Sequence, residues 1–105
     1  MANRNYQAGR RFEWRIRDVL RRDGWHVFRT AGSKGPVDLI AARREKEGPT
    51  VVWLVQCKNH PPTKAEREAA TEFAKGIGSN RGGSYVTVWL VWPPERGRID
   101  WECVS

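Results

Sequence analysis

A small mixed α/β domain, one central sheet of about five strands flanked by helices in the order αβββαββ, is what the chain predicts. Three observations carry the prediction. The length of 105 residues suits a single domain spanning 1–105. The apolar period switches from helical to alternating and back along the chain. Glycine- and proline-bearing breaks fall between these periodic stretches, with no repeat or linker.

The elements follow in order. Residues 1–8 read as a flexible basic arm. Over residues 9–22, Phe12, Ile16, Val19 and Leu20 recur at helical spacing, and Asp23-Gly24 closes the helix. Residues 25–31 (WHVFRTA) read as a strand, and Gly32 through Pro36 as a turn. Further strands are expected at about 37–42 and 51–58, before His60-Pro61-Pro62 interrupts the chain. Thr63 with Glu66 forms a capping box for a helix to about Lys75, its apolar stripe being Ala65, Ala69, Phe73 and Ile77. Residues 76–83 form a loop whose GIG lacks the third glycine of a phosphate-binding fingerprint. Residues 85–92 are a strongly β-prone strand that reads as buried on both faces or docked in a dimer, and 99–104 a short last one.

The charge is unevenly spread. The formal net charge is +7, and residues 1–46 carry it all, with 12 Lys and Arg against 5 Asp and Glu; residues 47–105 hold 7 of each. A one-sided basic surface points to a polyanion, above all nucleic acid, without implying sequence specificity. The absence of a long apolar run argues against a membrane partner, and an intracellular, cytoplasmic setting is expected, the host's cytoplasm if the chain is viral. Cys57 and Cys103 make no disulfide framework and are expected reduced. Six tryptophans imply a well-filled core, an aromatic surface, or both.

The stretch VDLIAARREKEGPTVVWLVQCK, residues 37–58, reads as a hairpin with polar residues at its open end. Asp38 leads one strand; Gln56 and Lys58 end the other and share a face by alternation. Pairing with numbers summing to 94 sets Asp38 beside Gln56, while a sum of 93 sets it opposite Val55. Glu13 borders the apolar stripe of the first helix and faces the sheet. Two carboxylates and an amide oxygen are hard donors suited to Mg²⁺ or Mn²⁺, and Lys58 would steady charge on a phosphate. Each residue also has a structural reading: Glu13 paired with Arg17 at i+4, Asp38 capping its turn, Gln56 and Lys58 marking the strand's exit into solvent.

Asp in one strand, Gln-x-Lys at the end of the next and an upstream helical Glu resemble the PD-(D/E)XK nuclease superfamily. The stretches GRRFEWRIRDVLRRDGWHVFRTAGSKGPVDLIAARR, VVWLVQCK and EFAKGIGSNRGGSYVTVWLV are similar to the archaeal-type Holliday-junction resolvases, over about residues 9–92. The resemblance implies a restriction-endonuclease-like fold and a homodimer that cuts branched, four-way DNA with Mg²⁺, Mn²⁺ being a possible substitute. It implies catalytic roles for Glu13, Ser33, Asp38, Gln56 and Lys58, the metal being held by Glu13, Asp38 and Gln56. Gln56 stands where that family usually has Glu; Mrr-like restriction endonucleases, which the chain also resembles, commonly have Gln there.

Arg4, Arg10, Arg11, Arg15, Arg29 and Lys34 are the candidates for phosphate contacts. His26 reads as structural, His60 as a marginal candidate near the substrate, and Cys57 as core on the face opposite Gln56. Two rivals to a junction nuclease follow: an Mrr-like or repair nuclease acting on duplex DNA, and a non-catalytic junction-binding module.

Overall fold

A computed structural model describes residues 4–30, 36–77 and 84–104, with side chains from residue 10 onward and that of residue 84 left aside. The element order is α1 (Arg4–Arg22), β1 (His26–Arg29), β2 (Leu39–Arg44), β3 (Thr50–Cys57), α2 (Lys64–Ile77), β4 (Ser84–Trp92) and β5 (Asp100–Cys103). This is the predicted αβββαββ order. One expectation fails at the start: α1 begins at Arg4, so the arm expected over residues 1–8 is helical from that point.

The five strands form one sheet in the order β1-β2-β3-β4-β5. β1–β2, β2–β3 and β4–β5 pair antiparallel, and only β3–β4 is parallel. A parallel neighbour needs a crossover, and α2 supplies it. The β2–β3 ladder takes the first of the two registers weighed: Leu39 pairs with Val55 and Arg44 with Thr50.

Local signals set the helix ends. Gly24 has φ 90°, its N–H donates to Arg21 O at 3.1 Å, and the Trp25 N–H donates to Leu20 O at 3.1 Å. That double closure is a Schellman motif, with Trp25 and Leu20 both buried as its apolar clasp. At α2 the capping box forms in both directions: Thr63 N–H to Glu66 Oε1 at 2.9 Å and Glu66 N–H to Thr63 Oγ1 at 3.1 Å.

The two helices cover opposite faces of the sheet, and each covers only part. α1 packs on β1, β2 and β3 and sinks Phe12, Ile16 and Leu20 among Val27, Leu39, Ala41 and Val55. Val19, expected in the same stripe, is 37% exposed. α2 packs on β4. Its buried residues are Ala70 and Ala74, while Ala65 and Ala69 are exposed and Ile77 is 44% exposed. The stripe is therefore turned by one residue from the one expected, because the capping box points Glu66 at the sheet and 66, 70 and 74 then follow at i, i+4 and i+8. His26, expected to be structural, lies exposed on edge strand β1. In β4, Val88, Leu90 and Val91 are buried across both faces, while Tyr85 at the other end is 48% exposed.

Candidate active site

The polar residues meet where β2 starts and β3 ends. Asp38 is tied there through its N–H, its carbonyl and its carboxylate. Its N–H donates to Val55 O at 2.9 Å, its carbonyl accepts from Thr30 N–H at 3.0 Å, and its carboxylate accepts from the Cys57 N–H at 2.8 Å. The ladder sum of 94 thus holds through Leu39, but the Asp38 main chain bonds one residue short of it. The carboxylate takes the next donor along β3, which aims the side chain along the strand end rather than squarely across at Gln56.

Glu13 reaches the same point from α1. It does not pair with Arg17, which bonds Asp18 at 3.1 Å. Instead, Arg29 of β1 donates through Nε to Glu13 Oε2 at 3.0 Å, with 15% of the Glu13 side chain exposed. The Glu13 and Asp38 carboxyl groups lie within hydrogen-bonding reach of each other. Burial raises the Asp38 carboxyl above its ordinary 3.8, and the Glu13 charge adds to the rise; the Cys57 N–H and the Lys58 ammonium oppose it without cancelling it. Cys57 lies beneath the pair on the α1 face, as expected for core. Burial, then the Asp38 and Glu13 charges, push its thiol upward, so it stays protonated and is no nucleophile.

Lys58 and Gln56 belong to the other side of β3. Lys58 is fixed by its N–H to Val91 O at 2.8 Å, and its ammonium bonds Glu66 Oε2 at 3.1 Å. Glu66 is the residue that the sequence reading missed as a site member; it stood there only as a capping partner. The Thr63 N–H, then the Lys58 ammonium, draw its carboxyl from 4.5 down to about 2. Its signal was available: a capping-box Glu uses one oxygen on the backbone, and the other faces whatever the helix start abuts. His60 Nδ1 stands 3.9 Å from Glu66 Oε1 on an exposed side chain. Gln56 is 8% exposed, the one polar residue in the buried set among the described residues.

Of the expected phosphate contacts, Arg29 is engaged with Glu13. Arg11 and Arg15 are exposed and line a cavity with Trp14 and Arg22 on another flank of α1. Arg10 lies 5.5 Å from the Trp14 ring centroid. Arg4 opens α1, and Ser33 and Lys34 lie outside the described residues.

Among the described residues no three His, Cys, Asp or Glu side chains come together as a metal-holding group. The donors are a carboxylate pair, with the Gln56 oxygen as the remaining candidate. Oxygen donors of this kind suit Mg²⁺ or Mn²⁺ with waters completing the shell. The residues fit a divalent ion.

The chain is similar to known proteins in sequence and in fold. A family profile described as a restriction endonuclease, the Mrr-type catalytic domain, matches residues 5–90. A curated relative, the crossover junction endodeoxyribonuclease Hjc of Methanocaldococcus jannaschii, is 41% identical over 59 residues, 56% of this chain. The match spans 40% of that relative's length. Among solved structures, Archaeoglobus fulgidus Hjc, a Holliday junction resolvase from an archaeal hyperthermophile, superposes with a TM-score of 0.55 at 22% identity, over 92% of this chain and 73% of that one. The likeness to that structure is one of fold.

Proposed function

The chain belongs to the Mrr-type restriction-endonuclease family, and from that premise we propose that it is a divalent-metal-dependent endodeoxyribonuclease whose preferred substrate is a four-way DNA junction. The observation that carries the reading is the Glu13–Asp38 carboxylate pair at the open end of the β2–β3 hairpin, with Lys58 beside it on β3. The name of the curated relative directs the substrate class to branched DNA.

Glu13 and Asp38 are the groups that would hold Mg²⁺ or Mn²⁺, and the Gln56 oxygen would join them only by reaching round the end of β3. Once bound, the ion would supply charge neutralisation at the phosphate and a more acidic water. The chain's own residues do the positioning. Asp38 is locked by the Cys57 N–H, so its carboxylate does not reorganise during reaction. Arg29 restrains Glu13 and offers a cation at the rim. Lys58 must leave Glu66, or share it, to meet a scissile phosphate; the pair keeps the ammonium at the strand end between turnovers. Ser33 and Lys34 precede Asp38 by five and four positions in the sequence and are assigned to the scissile phosphate and the duplex arm. Arg4 and Arg10 are assigned to DNA backbone; Arg11 and Arg15 stand on the side of α1 away from Glu13 and are not assigned to this site.

Paired nicks on a symmetric junction call for two copies of the site, so a homodimer acting on DNA inside the cell is part of the proposal. The test compares cleavage of a four-way junction with linear duplex of the same sequence, with and without Mg²⁺. Preference for the junction, lost on chelation, is expected. Equal rates would favour an Mrr-like duplex nuclease, a reading that Gln56 keeps open. Binding without cutting in Mg²⁺ or Mn²⁺ would leave a junction-binding module.

A further inference from the structure

We propose that a groove along the outer flank of α1 binds unpaired nucleotides, α1 arginines holding the backbone and tryptophans of β3–β5 stacking on the bases. The groove is built from two adjoining cavities. One, about 510 Å³, is walled by Trp53, Trp89 and Trp101 with Arg22 at its edge. The other, about 530 Å³, is walled by Arg11, Trp14 and Arg15. Val19 and Arg22 line both, so the two adjoin along α1. Each volume suits a small ligand or a flat ring system.

The groove exists because α1 stops short of β4 and β5. It packs on β1–β3, and among the described residues no helix lies over Trp89 and Trp101 on that face. The indoles are ordered against one another: Trp53 stacks on Trp89 at 4.4 Å and 29°, and Trp101 tilts by 59° at 6.1 Å. Both Trp89 and Trp101 remain half-buried, ring surface that the fold does not fill. Trp14 adds a fourth ring, 41% exposed.

Charge identifies the occupant. Arg11, Arg15 and Arg22 recur at i, i+4 and i+11, a single stripe. The two acids on this flank are engaged elsewhere, Asp18 with Arg17 at 3.1 Å and Asp23 with Arg43 at 3.5 Å. Among the described residues none of these three arginines has an acidic partner. A basic rim beside exposed ring faces is the chemistry of single-strand binding, where stacking tolerates any base and arginines track phosphates. Duplex DNA keeps its ring faces inside the stack and does not present them to a tryptophan wall. A second copy of this chain in a two-fold contact would set the arginine stripe against itself.

This groove is separate from the carboxylate pair. Glu13 lies two residues from both Arg11 and Arg15, which puts it on the opposite side of α1. The inference extends the nuclease reading to a second surface, and its test needs no cleavage, so the two fail separately.

The test is anisotropy of a fluorescein-labelled oligo-dT titrated with the full chain in EDTA. Arg15→Ala with Arg22→Ala is expected to weaken binding about tenfold and to flatten the log–log salt slope by about 1.4, two phosphate contacts at roughly 0.7 each. Trp101→Ala is expected to cost about five- to a hundredfold, the range for one lost stacking platform, and Trp101→Phe to restore most of it. Asp38→Ala is expected to leave oligo-dT binding intact. Thermal melts confirm that each variant is folded. Unchanged affinity in folded arginine and tryptophan variants overturns the proposal. So does equal competition by polyglutamate, which would make the groove a charge site for acidic peptides. Loss of self-association in Trp101→Ala during sedimentation, with oligo-dT binding retained, overturns it in favour of an interface between copies.

Discussion

The two helices flank the end of β3 from opposite faces, and each brings one glutamate to it, yet they do so on different terms. α1 is anchored by Phe12, Ile16 and Leu20 and delivers Glu13 to a second carboxylate. α2 buries only Ala70 and Ala74 and delivers Glu66 to an ammonium. The electrostatic outcomes are opposite: burial and Glu13 raise Asp38, while the Thr63 N–H and Lys58 lower Glu66. The lesson is that a rigid anchor accompanies the strained pair. Two like charges hold together only if their carriers are unable to move apart, whereas an ion pair attached to a capping box keeps itself in place.

The anchor gives the largest expected effect. Ile16 is fully buried, and Ile16→Ala should cost about 2–5 kcal/mol, the range for a core truncation of this size. Chemical denaturation measures it. A variant that stays folded should also lose cutting at a given Mg²⁺ concentration, because α1 would be free to relax Glu13 away from Asp38. Unchanged cleavage in a destabilised Ile16→Ala would break the link between anchor and site.

Asp38→Asn separates activity from stability at that same pair. The amide oxygen still accepts the Cys57 N–H, and the repulsion by Glu13 disappears. Cleavage of a junction should fall roughly 10²–10³-fold, the scale for one preorganised electrostatic group. The melting temperature at neutral pH should hold or rise. The pH dependence follows from the raised carboxyl. Asp38's share of stability is full below 3.8 and is lost as pH rises through its raised native value. Metal-dependent cutting runs the other way and falls as acid protonates Asp38. A wild type whose stability rises with pH through that window, relative to Asp38→Asn, would contradict the direction.

The α2 side should yield less. Ala74→Gly adds helix flexibility and removes one small buried methyl, a cost of about 1 kcal/mol by denaturation. Junction cutting should change less than twofold, since among the described residues α2 reaches the site through Glu66. A loss as large as that of Ile16→Ala would mean that α2 is an anchor as well.

The contrast between the helices also tracks what could be read from the chain. α1's core stripe was legible because Phe12, Ile16 and Leu20 are large and unlike their neighbours. α2 was misread by one residue because its stripe is alanine against alanine: Ala65 and Ala69 look as apolar as Ala70 and Ala74, and only the capping box distinguishes the two faces. The order of elements along the chain and, to within one residue, the β2–β3 register were within reach, since periodicity and turn length constrain both. What local pattern does not encode is who meets whom across the fold. Arg29 taking Glu13, and Glu66 taking Lys58, link residues of different elements and depend on how the helices seat. The helical start at Arg4 was hidden for another reason: that turn carries no apolar stripe to reveal it.

The smallest and most diagnostic effect belongs to Glu66→Gln. The amide keeps the acceptor for the Thr63 N–H but loses the charge facing Lys58. Solvent reaches both side chains, so the pair should contribute less than about 1 kcal/mol. Its sign with pH is fixed by the lowered carboxyl: the contribution is present above 4.5 and is lost as pH falls through about 2. The melting-temperature gap between wild type and Glu66→Gln should therefore be widest near neutral pH, narrow below pH 4.5 and close near pH 2. Added salt should shrink it at neutral pH, as it does for exposed pairs. A gap that persists at pH 2 would mean that Glu66 acts through its cap alone, and that Lys58 is not held by it.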